Sequence, residues 1–125
     1  MVLLDTHVLL WMLFDDDKLS RRAIETLQND ACSISMASIW ELGIKISIGK
    51  LKLPKTLAEI TAQCESMGIE IHNITVEDCM CLQTLPWIHR DPFDRIIIAH
   101  AINRSTRLIS HDENIHRYQE VDVVW

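Results

Sequence analysis

Apolar residues fall in short blocks separated by polar punctuation, and the spacing inside each block names an element. Residues 2–4, "VLL", read as a short buried strand that stops at Asp5. Residues 6–14, "THVLLWMLF", form a helix that is apolar almost all round, so it must be covered on several sides. The run "DDDKLS" breaks it, and Ser20 caps a polar helix that extends through Gln28. "ACSISM" alternates with β-compatible residues and predicts a second strand. Ser38 and Glu41 fit an S-x-x-E capping box opening a helix that Gly49 closes. "KLKLPK" reads as an exposed basic linker. Thr56 and Glu59 make another box, for a helix that stops at Gly68. "IEIHNI" is a third strand, and Thr75 begins a helix ending near Leu85-Pro86. Asp91 caps a helix from Pro92 to about Asn103, "TRLIS" is a strand running into His111-Asp112, and "VDVVW" is a short last strand.

Strands that alternate with helices and lack hairpin turns imply βαβ crossovers. The expected order is β-α-α-β-α-α-β-α-α-β-β: a three-layer α/β/α sandwich with a central, mostly parallel sheet. Its 125 residues suit one domain spanning 1–125. Apolar residues at 48% and charged residues at 24% are ordinary for a globular chain. The first residues show neither a basic leader nor an uninterrupted apolar span, so a cytoplasmic protein outside any membrane is expected. Cys32, Cys64, Cys79 and Cys81 then read as thiols, and neither the C-x-C nor the scattered histidines have zinc-site spacing. A net charge of −6 argues against a protein that coats nucleic acid through bulk charge, although an acidic total can conceal a local basic rim.

Sites in open parallel sheets form beyond the carboxyl ends of the strands. Asp5 ends the first strand, Asp112 lies just past "TRLIS", and Glu41 and Asp94 are placed in the first turns of helices expected to start at that edge. Each has an ordinary alternative: capping for Glu41, the helix dipole for Asp94, a turn for Asp112. Asp5 is the hardest to dismiss, because it stands between two apolar elements where an unpaired charge is costly. Together they make four carboxylates on one rim. Such a cluster is tolerated when a cation compensates it, and oxygen-only ligands suit Mg²⁺ or Mn²⁺. The chemistry indicated is metal-assisted phosphodiester hydrolysis. No phosphate-binding P-loop, nucleophile elbow or dinucleotide fingerprint is present.

"DTHVLLW", "SMASIWELGIKISIGKL", "HRDPFDRIIIAHA" and "LISHDENI", in that order and over residues 2–125, resemble PIN-domain ribonucleases, in particular the VapC-like toxins of bacterial toxin–antitoxin pairs. The resemblance implies a PIN-like fold and RNA cleavage at an acidic Mg²⁺ or Mn²⁺ site. Matched by motif, the four acids are Asp5, Glu41, Asp94 and Asp112, as catalytic residues and metal ligands. Thr6 follows the first acid and Ser110 stands near the fourth, as is common in the family. Asp91 is assigned to capping, with a metal-associated water as its other possible role. The resemblance also implies a homodimer and a cognate antitoxin lying across the acidic groove.

RNA approaching an acidic centre needs a basic rim, and Lys45, Lys50, Lys52 and Lys55 form one candidate, Arg90, Arg95, Arg104 and Arg107 another. Trp11, Trp40 and Trp87 are expected mainly in the core. The competing readings are a phosphatase-like or receiver-like domain, disfavoured because Asp5 is followed by Thr6-His7, and a catalytically silent PIN-like interaction module.

Overall fold

In the computed structural model, which describes residues 1–125, strand β1 (Val2–Leu4) lies at the centre of a five-stranded sheet. It is flanked by β2 (Cys32–Ser35) and β4 (Arg107–Ile109), with β3 (Glu70–His72) and β5 (Val123–Val124) at the edges. All pairings are parallel. Helices α1 (Thr6–Phe14) and α2 (Arg21–Asn29) join β1 to β2; α3 (Met36–Ser47) and α4 (Leu57–Ser66) join β2 to β3. Helices α5 (Val76–Gln83) and α6 (Pro92–Asn103) join β3 to β4. The expected order and sandwich are both present.

Side chains alternate across a strand, and β1 shows what that does. Val2 and Leu4 pack on one face with Val8 and Leu9 of α1, Leu42 of α3 and Ile60 of α4. Leu3 points to the other face, against Ile97, Ile98 and Tyr118. Both faces are covered, so the strand must be apolar throughout, as "VLL" is. Each fully buried Leu or Ile contributes roughly 1.5–3 kcal/mol of transfer free energy.

Helix termini follow local chemistry. Ser20 and Thr56 cap α2 and α4, and Thr75 with Asp78 makes a further capping box on α5. Gly49 and Gly68 adopt φ of 75° and 76° beyond the ends of α3 and α4, where an L-side chain would be strained. One boundary differs from expectation. Helix α3 starts at Met36, because the Ser35 hydroxyl accepts the Ala37 N–H at 3.1 Å. Ser38 therefore caps nothing; its hydroxyl bonds Thr6 Oγ1 at 2.9 Å and ties α3 to α1.

The tryptophans also depart from expectation. Trp40 is 59% exposed and Trp87 77% exposed; Trp11 is half-buried. Trp40 meets the edge of Phe93, and Trp87 lies over the Arg95 guanidinium at 3.9 Å. The core was already filled by aliphatic side chains, so these rings cover polar or half-buried neighbours instead. All four cysteines are free thiols, with Cys32 and Cys64 buried. No helix is long and apolar enough to cross a membrane.

Candidate metal centre

The sheet register builds the site. Leu4 is aligned with Ile34 on one side and Ile109 on the other, so the next residues, Asp5, Ser35 and Ser110, emerge at one edge. Asp5 then caps α1, its Oδ1 accepting the Val8 N–H at 2.8 Å. Asp112 does the same for the turn beyond β4, with Oδ1 accepting from Asn114 N–H (2.8 Å) and Ile115 N–H (3.1 Å). Asp91 caps α6 through the N–H groups of Phe93 and Asp94. Each cap uses one carboxylate oxygen. Asp94, third residue of α6, and Glu41, on the second turn of α3, complete the set.

One further group joins the acids. His89 Nε2 lies 3.0 Å from Asp94 Oδ2 and 3.2 Å from Asp112 Oδ2. Its Nδ1 accepts the Asp91 backbone N–H at 3.2 Å, so Nε2 carries a proton even in the neutral ring and donates it to the carboxylates. The ring is held from behind. The His89 N–H donates to the Tyr118 hydroxyl, which donates to the Pro86 carbonyl. Buried Arg95 donates to the carbonyls of Pro86 and His89 at 3.0 and 3.1 Å.

Electrostatics show how closely the carboxylates crowd. Burial, then the charge of Asp91, pushes the Asp94 carboxyl up to about 7; Asp5 and Glu41 add to this and His89 opposes it. Burial also raises Asp5, against stabilisation by the Ser110 hydroxyl and the Val8 N–H. Burial works against the Asp112 charge too, but bonds from the Ile115 N–H and His89 outweigh it and hold that carboxyl below its usual range. Glu41 Oε2 is paired with Lys45 Nζ at 2.6 Å, while its Oε1 is buried without any partner. An orphaned buried carboxylate oxygen beside further acids is a deficit of positive charge, and these donors fit a hard divalent cation. The His89 ring nitrogen and the Asp94 and Asp112 oxygens all lie within 4.8 Å of one another, the nitrogen as proton donor rather than as ligand.

The signature of the PIN-domain family matches residues 2–121. This chain belongs to the PIN-domain family. It is 28% identical to Ribonuclease VapC22 of Mycobacterium tuberculosis, covering 99% of this chain and 98% of that protein. Among solved structures, VapBC2 from Rickettsia felis bound to a DNA fragment from its promoter superposes with a TM-score of 0.67 at 14% identity, covering 98% of this chain and 97% of that one. A toxin–antitoxin complex from Klebsiella pneumoniae gives 0.65 at 19% identity, covering 97% and 95%. At such identities these structures bear on the fold.

Within this PIN domain Asp94 feels the charges of Asp5 and Glu41, and Asp5 feels that of Asp112. Ser110 supports Asp5 and accepts the Asp112 N–H at 3.0 Å; Thr6 turns to Ser38. Glu41 is not a first-turn or capping residue, so the ordinary explanation for it is removed. The basic groups are redistributed. Lys45 is engaged by Glu41, Arg95 is buried beneath Trp87, Arg104 pairs with Asp78 and Arg107 with Asp30. The arginine rim is thus dispersed, leaving Arg90. His89 was missed by sequence reasoning. Its only local signal was a histidine two residues before a capping Asp.

Proposed function

We propose that this PIN domain is a metal-dependent endoribonuclease and the toxin of a toxin–antitoxin pair. The observation that carries the reading is the convergence of Asp5, Glu41, Asp94 and Asp112 on one sheet edge, with a buried Glu41 oxygen left unpartnered. Two comparisons support it: the ribonuclease named for the Mycobacterium relative, and the toxin–antitoxin assembly among structures of the same fold. Asp5, Glu41, Asp94 and Asp112 would hold Mg²⁺ or Mn²⁺. Such a cation supplies polarisation of the phosphodiester and activation of water for in-line attack.

The chain's own groups prepare that chemistry. Asp5 and Asp112 spend one oxygen on backbone N–H groups, which locks each carboxylate plane and leaves the other oxygen for the centre. Lys45 neutralises one Glu41 oxygen and is itself held charged by that bond, keeping the cluster from excessive repulsion. The Nε2–H of His89 gives the Asp94 and Asp112 carboxylates a common partner and so holds one oxygen of each at the same point. No nucleophilic side chain is required.

Partners belong to the same proposal. Met36, Trp40, Ile44 and Ile48 recur every four residues along α3 and its end, and all are exposed. With Trp87 they supply an apolar surface of the kind that a second copy or an antitoxin segment covers. The deciding assay is cleavage of structured RNAs with Mg²⁺ or Mn²⁺, with and without EDTA. Metal-dependent scission by the wild type that is lost in Asp94→Asn supports the reading. Absence of cleavage by freshly metal-loaded, antitoxin-free protein leaves the silent interaction module.

A further inference from the structure

Beside the acids, on the α1 side, lies a pocket of about 210 Å³ that shares two of them. A larger pocket of about 340 Å³ lies on the Trp87 side and is lined by none of the four acids. The smaller one is lined by Asp5, His7, Trp11, His111 and Asp112. Two of its five residues are acids of the centre, and the other three are aromatic rings.

Those rings form a connected cluster. Trp11 has His7 at 5.8 Å and His111 at 6.1 Å between ring centroids. Trp125 stands behind, 5.8 Å from Trp11 and 4.9 Å from His111, so the wall is buttressed. Trp11 and Trp125 are half-buried on the edge of the core, whereas His7 and His111 are exposed. Register puts them there. His7 and Trp11 are four apart on α1, which begins directly after Asp5, and His111 immediately precedes Asp112.

We propose that this wall is a stacking site for one unpaired nucleobase of the RNA, adjacent to the phosphate held at the acids; the proposal rests on the ribonuclease reading. Small-molecule sites occupy roughly 300–1,000 Å³, so this space suits one ring system rather than a whole cofactor. An exposed acidic pocket is a poor site for a free anion, but a base is uncharged and presents a π-face that indole and imidazole accept. The floor of Asp5 and Asp112 then sets which nucleotide reaches the wall. It is the one next to the scissile phosphate. Stacking of this kind is tolerant of base identity and demands a base free of its helix. The pocket would therefore select single-stranded or bulged positions, not a sequence.

The test uses the full chain with Mg²⁺ and a phosphorothioate adenylate hexamer, which resists hydrolysis, against the same backbone lacking its bases. Binding is read by fluorescence anisotropy. Wild type is expected to bind the adenylate form more tightly, with about a 5- to 150-fold difference in Kd. Trp11→Leu, which keeps apolar bulk without a π-face, should erase most of that difference, and Trp11→Phe should keep part of it. Equal affinity of the wild type for the two backbones overturns the proposal and needs no folded variant. So does a Trp11→Leu protein with a native melting curve and an unchanged preference. Cleavage by the wild type in Mn²⁺ is scored separately: with cleavage present and no base preference, stacking alone fails. Without cleavage under any divalent cation, the ribonuclease reading fails.

Discussion

His89 Nε2 donates to Asp94 Oδ2 across 3.0 Å, and the same nitrogen lies 3.2 Å from Asp112 Oδ2. The Nε2–H thereby places positive density between the two carboxylates, where a bound cation would place more. His89→Ala is expected to destabilise the metal-free protein by about 1.5–3 kcal/mol, the worth of a hydrogen bond to a charged group. In saturating Mn²⁺ the penalty should shrink, since the carboxylates regain a positive partner. Urea unfolding with and without Mn²⁺ measures both. An identical penalty in the two conditions would assign His89 to packing alone.

Asparagine substitutions separate the two duties of the acids. Asp5→Asn and Asp112→Asn keep the Oδ1 that accepts backbone N–H groups but remove the charge. Both should fold with helix content unchanged while RNA cleavage falls at least about 100-fold. Circular dichroism and single-turnover cleavage check this. A cleavage loss of only a few-fold in both would remove these acids from the reaction.

Asp91 is distinguished from its neighbour by the same logic. Its side chain accepts from two N–H groups at the start of α6, so Asp91→Ala should cost about 1 kcal/mol in thermal or urea unfolding. Asp91→Asn should cost little and retain activity within a few-fold. Large loss of activity in a stable Asp91→Asn protein would instead place it on a metal-associated water.

The pH dependence has a definite sign. The Asp94 carboxyl is raised from 3.8 to about 7, so between those values the native state binds a proton that the unfolded chain has released. Stability contributed by Asp94 is complete below about pH 4 and is lost as pH rises through about 7. His100 acts oppositely. Burial, with Arg104 and His72 adding, lowers it from 6.5 to about 4, so its contribution is present above pH 6.5 and is lost as pH falls towards 4. Metal-free Asp94→Asn should therefore gain stability relative to the wild type as pH rises towards 7, since Asp5, raised in the same sense, and His100 are common to both proteins. Mn²⁺ affinity of the wild type should increase up to about pH 7, which calorimetry can follow.

A polar cluster away from the centre sets the α5–α6 packing. Asp78 is fully buried, caps α5 with Thr75, and accepts from Asn103 and Arg104 at 3.0 and 3.1 Å. Asp78→Ala is expected to cost about 3 kcal/mol, the low end for breaking a buried pair, because half-buried Arg104 can turn to water. Activity per folded molecule should be unchanged. A chemical-denaturation midpoint equal to wild type would show the cluster to be dispensable.

Much of the architecture can be read along the chain because it is set by local chemistry. "VLL" is apolar throughout and so must lie between two layers; Ser20, Thr56 and Asp91 cap by their own side chains; Gly49 and Gly68 stop helices through φ. The α3 start was misread because two serines, Ser35 and Ser38, both offered a hydroxyl, and only the pairing of β2 decided which lay at the strand end. Trp40 and Trp87 were misplaced since hydrophobicity says that a ring prefers burial, not whether room remains for it.

The acids divide along the same line. Asp5, Glu41, Asp94 and Asp112 were named as candidates from the chain, by expected places at strand ends and helix starts and by resemblance to the PIN domain, although the start of α3 at Met36 moves Glu41 to the second turn. Their mutual strain, the unpartnered Glu41 oxygen, and the proton that His89 aims at Asp94 and Asp112 were not. Charge interactions and hydrogen bonds depend on distances across segments far apart in the chain, and those distances exist only once the parallel register brings Leu4, Ile34 and Ile109 into one row.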